Sequence, residues 1–269
     1  IVGQSGRGKS YFAKGEIIPN LLDTEDDIII MDPDGEYVEI AKRFGGEVIK
    51  LAQKAEYHIN PLDMDINYAA SNNDDPVAMK SDYLVSLCET VTRKTGGLTP
   101  YEVNTIQKAT AIIYEDYMKH MEEVIKNDPT KTIDLDASPN LVTFYDALLN
   151  MDGPEAHQLA MNMEPYCVGN YNMFAHRTNI DPKSRLIVYD LRSMPKNMKE
   201  FSMMVCLSDI WNRIVRNKDE HSNKATWVYL DEFYLMVQTE SSAVMLQEYF
   251  KRCRKYHGIM TGITQDIED

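Results

Sequence analysis

The sequence predicts an α/β fold in which a mainly parallel central sheet is flanked by helices and interrupted by an all-helical insertion. Short apolar runs that end in acidic residues alternate with amphipathic segments in residues 1–66 and again in residues 176–269. Residues 67–175 show helical periodicity alone. Apolar runs without strict alternation are typical of strands buried on both faces of a parallel sheet. We therefore expect a core in two parts, 1–66 and 176–269, with an insertion at 67–175.

The first element is a phosphate-binding loop with the pattern G-x-x-x-x-G-K-[ST]. Its backbone N–H groups, together with the amino terminus of the following helix, favour a bound phosphate. In this pattern Lys9 reaches the β- and γ-phosphates, and the Ser10 hydroxyl is a ligand of Mg²⁺. The sequence therefore predicts that the protein binds ATP and Mg²⁺. The predicted nucleotide-contacting residues are Gly3, Gln4, Ser5, Gly6, Arg7, Gly8, Lys9, Ser10 and Tyr11.

Only Ile1 and Val2 precede the loop, and two residues are too few for a strand. We therefore expect the parent polypeptide to extend before Ile1, and also beyond the last residue given. After the loop, the pattern predicts a helix that ends near Pro19. A strand is expected at 27–31, followed by Asp32, and another at 46–51.

The insertion begins with an apolar stripe at intervals of four residues, formed by Met79, Tyr83, Leu87 and Val91. Residues 99–102 have the pattern of a capping box with proline at the first helical position, which predicts a long second helix carrying Ile106, Ile113 and Tyr117. Shorter helices are expected at 141–149 and 155–165. The many tyrosines and methionines of this region are interpreted as core and interface residues.

The second part of the core returns to alternating strands and helices. Strands are expected at 185–189, followed by Asp190, at 225–230, followed by Asp231 and Glu232, and at 259–263. Helices are expected at about 199–216 and 242–255. Residues 218–224 are interpreted as a polar turn.

Asp231 and Glu232 follow an apolar strand, as in the second motif of many nucleotide-hydrolysing enzymes. At that position Asp231 holds Mg²⁺, directly or through water, and Glu232 is placed to act as general base toward the attacking water. The alternative is that the pair caps a loop. Because hydrolysis needs both a metal ligand and a base, the pair and the phosphate loop together predict an ATPase.

Two further groups of residues have a structural and a functional interpretation. Gln265 at the end of the last strand either senses the γ-phosphate and positions water or is an ordinary loop residue. Arg252, Arg254 and Lys255 close the preceding helix, where cations interact favourably with the helix dipole. They could instead supply an arginine finger to a neighbouring subunit, which requires an oligomer.

Composition narrows the class of protein. Hydrophobic residues make up 43% of the 269-residue chain, enough for a core, and no stretch has the length and apolarity of a membrane-spanning helix, so we expect a soluble chain. The net charge of −14 disfavours nucleic-acid binding over the general surface, although a local basic groove is compatible with it. The four cysteines have no metal-site spacing and are expected to be buried or free thiols. The histidines form no ligand pattern, so no metal beyond Mg²⁺ is assigned.

The motifs and their order resemble those of the conjugative type IV secretion ATPases, the TraC/TraE-like proteins of the HerA–FtsK branch of RecA-like motors. The resemblance covers essentially the whole chain. Its elements are the phosphate loop, residues 32–37 (D-P-D-G-E-Y), residues 59–63 (I-N-P-L-D), Asp231 with Glu232, residues 252–258 (R-C-R-K-Y-H-G) and Thr264 with Gln265. The D-P-x-x-E-Y and N-P-L elements are more specific than the phosphate loop.

This resemblance implies a RecA-like motor domain with a helical subdomain. It also implies a homo-oligomer, such as a hexameric ring, that works with other secretion-channel subunits at the cytoplasmic face of the membrane. Arg252 or Arg254 would act in trans and Gln265 as a sensor. The sequence departs from the family at 254–258, where Arg-Lys-Tyr-His-Gly replaces Arg-Lys, a basic residue and Asn-Gly. This departure leaves the identity of the finger open.

Two questions remain open from the sequence. Asp32 and Glu36 either cap the following helix or shape the nucleotide or subunit interface. The function is either ATP hydrolysis that powers the assembly of, or transfer through, a secretion machine, or direct pumping of DNA by a translocase or coupling protein. A nucleotide-dependent switch with incidental turnover is a third interpretation, which Glu232 argues against.

Overall fold

A five-stranded parallel sheet forms the centre of the molecule. The computed structural model describes residues 1–4, 7–67, 75–93, 95–220 and 224–265. The order of the strands in the sheet is β2-β3-β1-β4-β5, so β1 is the central strand. The strands are β1 (Asp27–Asp32), β2 (Glu47–Lys50), β3 (Leu186–Asp190), β4 (Thr226–Leu230) and β5 (Gly258–Gly262).

Eight α-helices surround the sheet in the described part of the chain. They are α1 (Lys9–Asp23), α2 (Val38–Phe44), α3 (Pro76–Thr92), α4 (Pro100–Asn127), α5 (Leu141–Leu149), α6 (Pro154–Cys167), α7 (Lys199–Glu220) and α8 (Glu240–Cys253). Short 3₁₀ segments occur at 172–174, 196–198, 233–236 and 254–256.

Successive residues of the inner strands point to opposite faces of the sheet and enter two separate cores. Ile28 and Ile30 of β1 pack in a cluster with α1 and α2. Ile29 and Met31 pack in a larger cluster with α7, α8 and the helices of the insertion. The strands are therefore covered on both faces, as parallel strands require. This three-layer arrangement confirms the predicted α/β fold with a parallel central sheet.

Helices α3 to α6 lie within residues 67–175, where helical periodicity was predicted. The capping box opens α4: the Glu102 amide donates to Thr99 Oγ1 at 3.3 Å, and the Thr99 amide donates to Glu102 Oε2 at 2.9 Å. Tyr83, Leu87 and Ile106 of the predicted stripes are fully buried. They share one continuous apolar cluster with α7 and α8, so α3 and α4 pack directly on the helices that cover the sheet.

Two predicted boundaries are wrong. Helix α1 continues through Pro19 to Asp23, because Ile17 and Leu21 on either side of the proline are buried on the same face and hold the helix in place. Helix α7 continues to Glu220, so the first residues of the predicted polar turn are helical. Residues 221–223 of that turn lie outside the described residues.

The prediction for the thiols is confirmed: all four cysteines are buried and free. They lie at Cys88, Cys167, Cys206 and Cys253. Within the ranges that the structure describes, no helix combines the length and the hydropathy needed to cross a membrane.

The turn after β1 is built around one carboxylate. Asp32 accepts hydrogen bonds from the backbone amides of Gly35, Glu36 and Tyr37 at 2.7, 2.9 and 2.8 Å. Gly35 has a φ of 78°, and a Cβ atom there would lie 1.8 Å from Cδ of Arg192. Arg192 in turn donates to both carboxylate oxygens of Asp190, next to Asp32 across the sheet. The turn therefore needs glycine for its backbone and for the space that Arg192 occupies.

Gly35→Ala is expected to destabilise the fold more than Gly45→Ala does. Both glycines have positive φ, at 78° and 69°, so each substitution costs about 1 kcal/mol in backbone strain. No atom lies within 4 Å of a Cβ at Gly45, whereas a Cβ at Gly35 forces Arg192 away from Asp190. This loss adds about 1 kcal/mol. Urea unfolding of both variants measures the difference, and equal losses would show that Arg192 moves without cost.

Candidate nucleotide and metal site

The phosphate-binding loop leads directly into α1. Gly8 takes a left-handed conformation with a φ of 84°, and its carbonyl accepts the first helical hydrogen bond from the Phe12 amide at 2.8 Å. Lys9 and Ser10 are therefore the first residues of the helix, with the free amides of the helix terminus around them. Tyr11 is 82% exposed. Of the predicted nucleotide-contacting residues, Ser5 and Gly6 lie outside the described residues.

Strand β5 lies between the phosphate loop and β4. Val2 forms a parallel bridge with Thr264, and the Gly3 amide donates to the Thr264 carbonyl at 3.3 Å. The start of the loop is thus next to Gln265. The prediction that Asp231 lies on a strand ending directly beside the loop is wrong, because β5 separates that strand, β4, from the loop. Sequence could not show this, because strand order depends on pairing between distant segments.

Asp231 and Glu232 lie at the carboxyl end of β4, and both are buried, at 4% and 8% exposure. The Asp231 amide donates to the Met31 carbonyl at 3.1 Å, which fixes the end of β4 against β1. Glu232 has a φ of 49°, in the left-handed region that costs a non-glycine residue about 1 kcal/mol. Such strained residues concentrate at functional sites. The Glu232 amide donates to Asp231 Oδ1 at 3.0 Å.

The structure brings Gln265 and Glu232 into direct contact. Gln265 Nε2 donates a short hydrogen bond to Glu232 Oε1. Oε2 of the same carboxylate is buried and has no hydrogen-bond partner among the described residues. A buried carboxylate oxygen without a donor is costly, and it is the arrangement expected of a base that accepts a proton from a bound molecule. Glu232 and Gln265 also line a cleft of about 1050 Å³.

Burial raises the pKa of Asp231 to about 7; the hydrogen bond from the Glu232 amide lowers it, and the nearby carboxylates of Glu232, Glu36 and Asp32 raise it. A divalent cation would remove this cost. No group of three or more His, Cys, Asp or Glu side chains in the described ranges could hold a metal ion unaided. Mg²⁺ at nucleotide sites takes most of its ligands from phosphates and water, so Ser10 and Asp231 fit such an ion.

The pKa of Asp231 predicts a pH-dependent stability. In the absence of metal and nucleotide, the unfolded chain releases the Asp231 proton at the ordinary pKa of 3.8. The folded chain keeps that proton until the pH reaches about 7. Its contribution to stability therefore falls as the pH rises from about 4 to 7 and is constant above. The Tm of Asp231→Asn minus that of the wild type should grow from pH 5 to 7 and then level off. A difference that stays constant with pH would contradict the assignment.

Arg252 and Arg254 lie near the amino-terminal end of β5, whereas the candidate site lies at the carboxyl ends of the strands. They precede β5, whose five residues extend about 16 Å before Gln265 is reached. Arg252 is held within the chain, where it pairs with Glu248 at 3.4 Å and contacts Sδ of Met79. Arg254 is exposed, and the structure gives its side chain no ion pair with any described residue. The structure therefore does not bring these predicted residues to the site of their own chain.

In the acidic turn after β1, Asp32 has a structural role, and Tyr37 is a residue for which the sequence predicted no role of its own. Asp32 holds the turn through amides that precede α2 and does not cap that helix as the structural interpretation expected, and Glu36 is exposed. Tyr37 is fully buried beside the site, although sequence reasoning gave it no function of its own. The sequence feature that could have indicated Tyr37 is its place in the D-P-x-x-E-Y element.

Comparison with known proteins gives a family and a fold. Residues 1–201 match the family model described as "Helicase HerA, central domain". The matched range includes the phosphate loop and the turn after β1 but ends before Asp231. A search of curated proteins gives no match.

Among solved structures, VirB4 of Thermoanaerobacter pseudethanolicus matches with a TM-score of 0.78 and 24% sequence identity, over 98% of this chain and 69% of that one. This likeness shows that the fold is shared. The bacterial conjugative coupling protein TrwB, in an unbound form, aligns with 98% of this chain and 61% of its own, at 15% identity and a TM-score of 0.45.

Proposed function

Because this chain belongs to the family of the HerA helicase central domain, we propose that it is an ATP-hydrolysing, RecA-like motor domain that powers a conjugative type IV secretion machine. The observation that carries this proposal is the contact between Gln265 and Glu232 next to Asp231, beside the phosphate loop. We also propose the division predicted from sequence, with residues 67–175 as a helical subdomain inserted between the two parts of the motor core.

In this proposal each residue of the site has one role. The loop amides and Lys9 bind the phosphates, and Ser10 and Asp231 hold Mg²⁺, which when bound neutralises phosphate charge. The oxygen of a water molecule attacks the γ-phosphorus while its proton passes to Glu232 Oε2. The bond to the bridging oxygen of the β-phosphate breaks, which gives ADP and phosphate. Gln265 holds Oε1 and so keeps Oε2 directed at the water.

The proposed motor is an oligomer with a shared site. Arg254 supports this because it is exposed and lies far from the site of its own chain, so it can reach the phosphates of a neighbour. Arg252 is the weaker candidate, because Glu248 and Met79 hold it in place. An arginine supplied in trans stabilises charge on the transferred phosphoryl group.

A second candidate function is a motor that moves along DNA, and the family description as a helicase favours it. The charge of −14 argues against it, because affinity for DNA comes largely from Lys and Arg contacts to phosphates. In the first proposal the substrate passes through a membrane-bound channel whose subunits hold the ring at the inner face of the membrane.

The test is ATP turnover by the full-length protein over a range of protein concentrations, with and without single- and double-stranded DNA. For the secretion motor we expect a specific activity that rises with protein concentration and does not respond to DNA. Arg254→Ala is expected to remove the rise with concentration. Strong stimulation by DNA that is lost in high salt would instead support the DNA motor. The absence of turnover under all conditions would contradict both.

A further inference from the structure

Tyr37 is held rigidly at the junction of α1, β1 and β4. Its backbone amide donates to Asp32 Oδ2 at 2.8 Å, and its side chain is fully buried. The ring packs in the same apolar cluster as Ala13 and Ile17 of α1. Lys14 Nζ lies 5.4 Å from the ring centroid, which adds a cation–π contact. The ring is therefore packed against the first turns of α1.

The hydroxyl of Tyr37 lies close to two residues of the candidate metal site. Burial raises the pKa of Tyr37 well above its ordinary value; the Asp231 carboxylate raises it further, whereas the Ser10 hydroxyl lowers it. Within the described residues, however, the hydroxyl makes no hydrogen bond of regular geometry. A buried hydroxyl without a partner costs about 1–3 kcal/mol. The working state is therefore expected to give it a partner, and of the two neighbouring groups Ser10 is the one that interacts with it as a hydrogen-bond partner.

Building on the proposed function, we propose that Tyr37 is a positioning residue for the metal: its hydroxyl donates a hydrogen bond to the Ser10 side-chain oxygen and selects the serine rotamer that faces the ion. A serine at the first turn of a helix has more than one accessible rotamer. A donor on one side of Oγ leaves the remaining lone pair for the metal. The D-P-D-G-E-Y turn thus acts on the nucleotide site through Tyr37, with Asp32 as the residue that holds the turn.

The test compares Mg²⁺-dependent nucleotide binding in Tyr37→Phe and in the wild type. A fluorescent ATP analogue is titrated onto the full chain in Mg²⁺ and again in EDTA. We expect Tyr37→Phe to reduce the gain in affinity from Mg²⁺ by about tenfold, or ~1.4 kcal/mol. Its affinity in EDTA is expected to equal that of the wild type.

Tyr229→Phe is the matched control. Tyr229 is also fully buried and faces α1, but its hydroxyl lies near Glu16 and Asn20, further along the helix. This variant loses the same atom from the same core and should keep the full Mg²⁺ effect. An equal reduction in both variants would show a general packing effect and overturn the proposal.

A double-mutant cycle with Ser10→Ala tests whether Tyr37 acts through the serine. If it does, Ser10→Ala and the double variant have the same Mg²⁺ effect, whereas additive losses overturn the proposal. A full Mg²⁺ effect in Tyr37→Phe also overturns it. Failure of the proposed function looks different, because the wild type itself would then show no Mg²⁺-dependent binding of ATP.

Discussion

Glu232→Gln is expected to lower ATP turnover by about 100- to 10 000-fold, the range that a positioned general base contributes. Nucleotide binding should remain close to that of the wild type. The substitution replaces the carboxylate with a group of the same shape that cannot accept a proton from water. Because Gln265 donates to Oε1 and leaves the buried Oε2 without a partner among the described residues, the change removes basicity at the proposed proton acceptor.

The matched control for this variant is Glu200→Gln. Glu200 lines the same cleft and is also buried, but its carboxylate pairs with Arg93 at 3.4 Å. Single-turnover measurements on both variants, with binding of a fluorescent ATP analogue as the second readout, separate chemistry from affinity. Turnover by Glu232→Gln within a few-fold of the wild type would remove Glu232 from the role of base.

Lys9→Ala is expected to weaken ATP binding by about 10- to 100-fold, which is the worth of one or two hydrogen bonds between charged groups. Lys9 is the first residue of α1, and its Nζ lies 3.4 Å from the Gln4 carbonyl, so its ammonium group is already placed over the loop. Loss of this charge leaves the helix terminus and the loop amides to hold the phosphates alone.

Isothermal titration with ATP and Mg²⁺ measures this effect. Lys42→Ala is the control, because Lys42 is an exposed lysine of α2 whose ion pair with Glu39 lies on the surface. Equal affinities for Lys9→Ala and the wild type would show that the loop does not bind phosphate.

Local pattern was enough to predict the elements of the fold. The apolar runs before Asp32, Asp190 and Asp231 are all strands, and the capping box at Thr99 opens a helix as expected. The continuation of α1 beyond Pro19 could not be predicted, because it depends on tertiary burial of Ile17 and Leu21 that outweighs the local preference of proline.

Less of the candidate site than of the fold could be predicted from the sequence. Motifs predicted Lys9, Asp231 and Glu232 as site residues, since the chemistry proposed for them is carried by residue type and spacing. The contact between Gln265 and Glu232 depends on which strands are neighbours in the sheet, and the location of Tyr37 depends on a turn closed by Asp32. Both are long-range properties that periodicity does not encode.

The pairing of Gly3 with Thr264 has a consequence for biosynthesis. The phosphate loop is translated before helices α3 to α6, whereas its partner strand β5 and the residues Asp231, Glu232 and Gln265 emerge from the ribosome only after those helices. Contacts between segments so distant in sequence form slowly, because a long loop must close before they are made. In the proposed function, a nascent chain therefore carries its loop without the residues proposed for hydrolysis, and we expect ATP consumption to begin only when the last strand has docked.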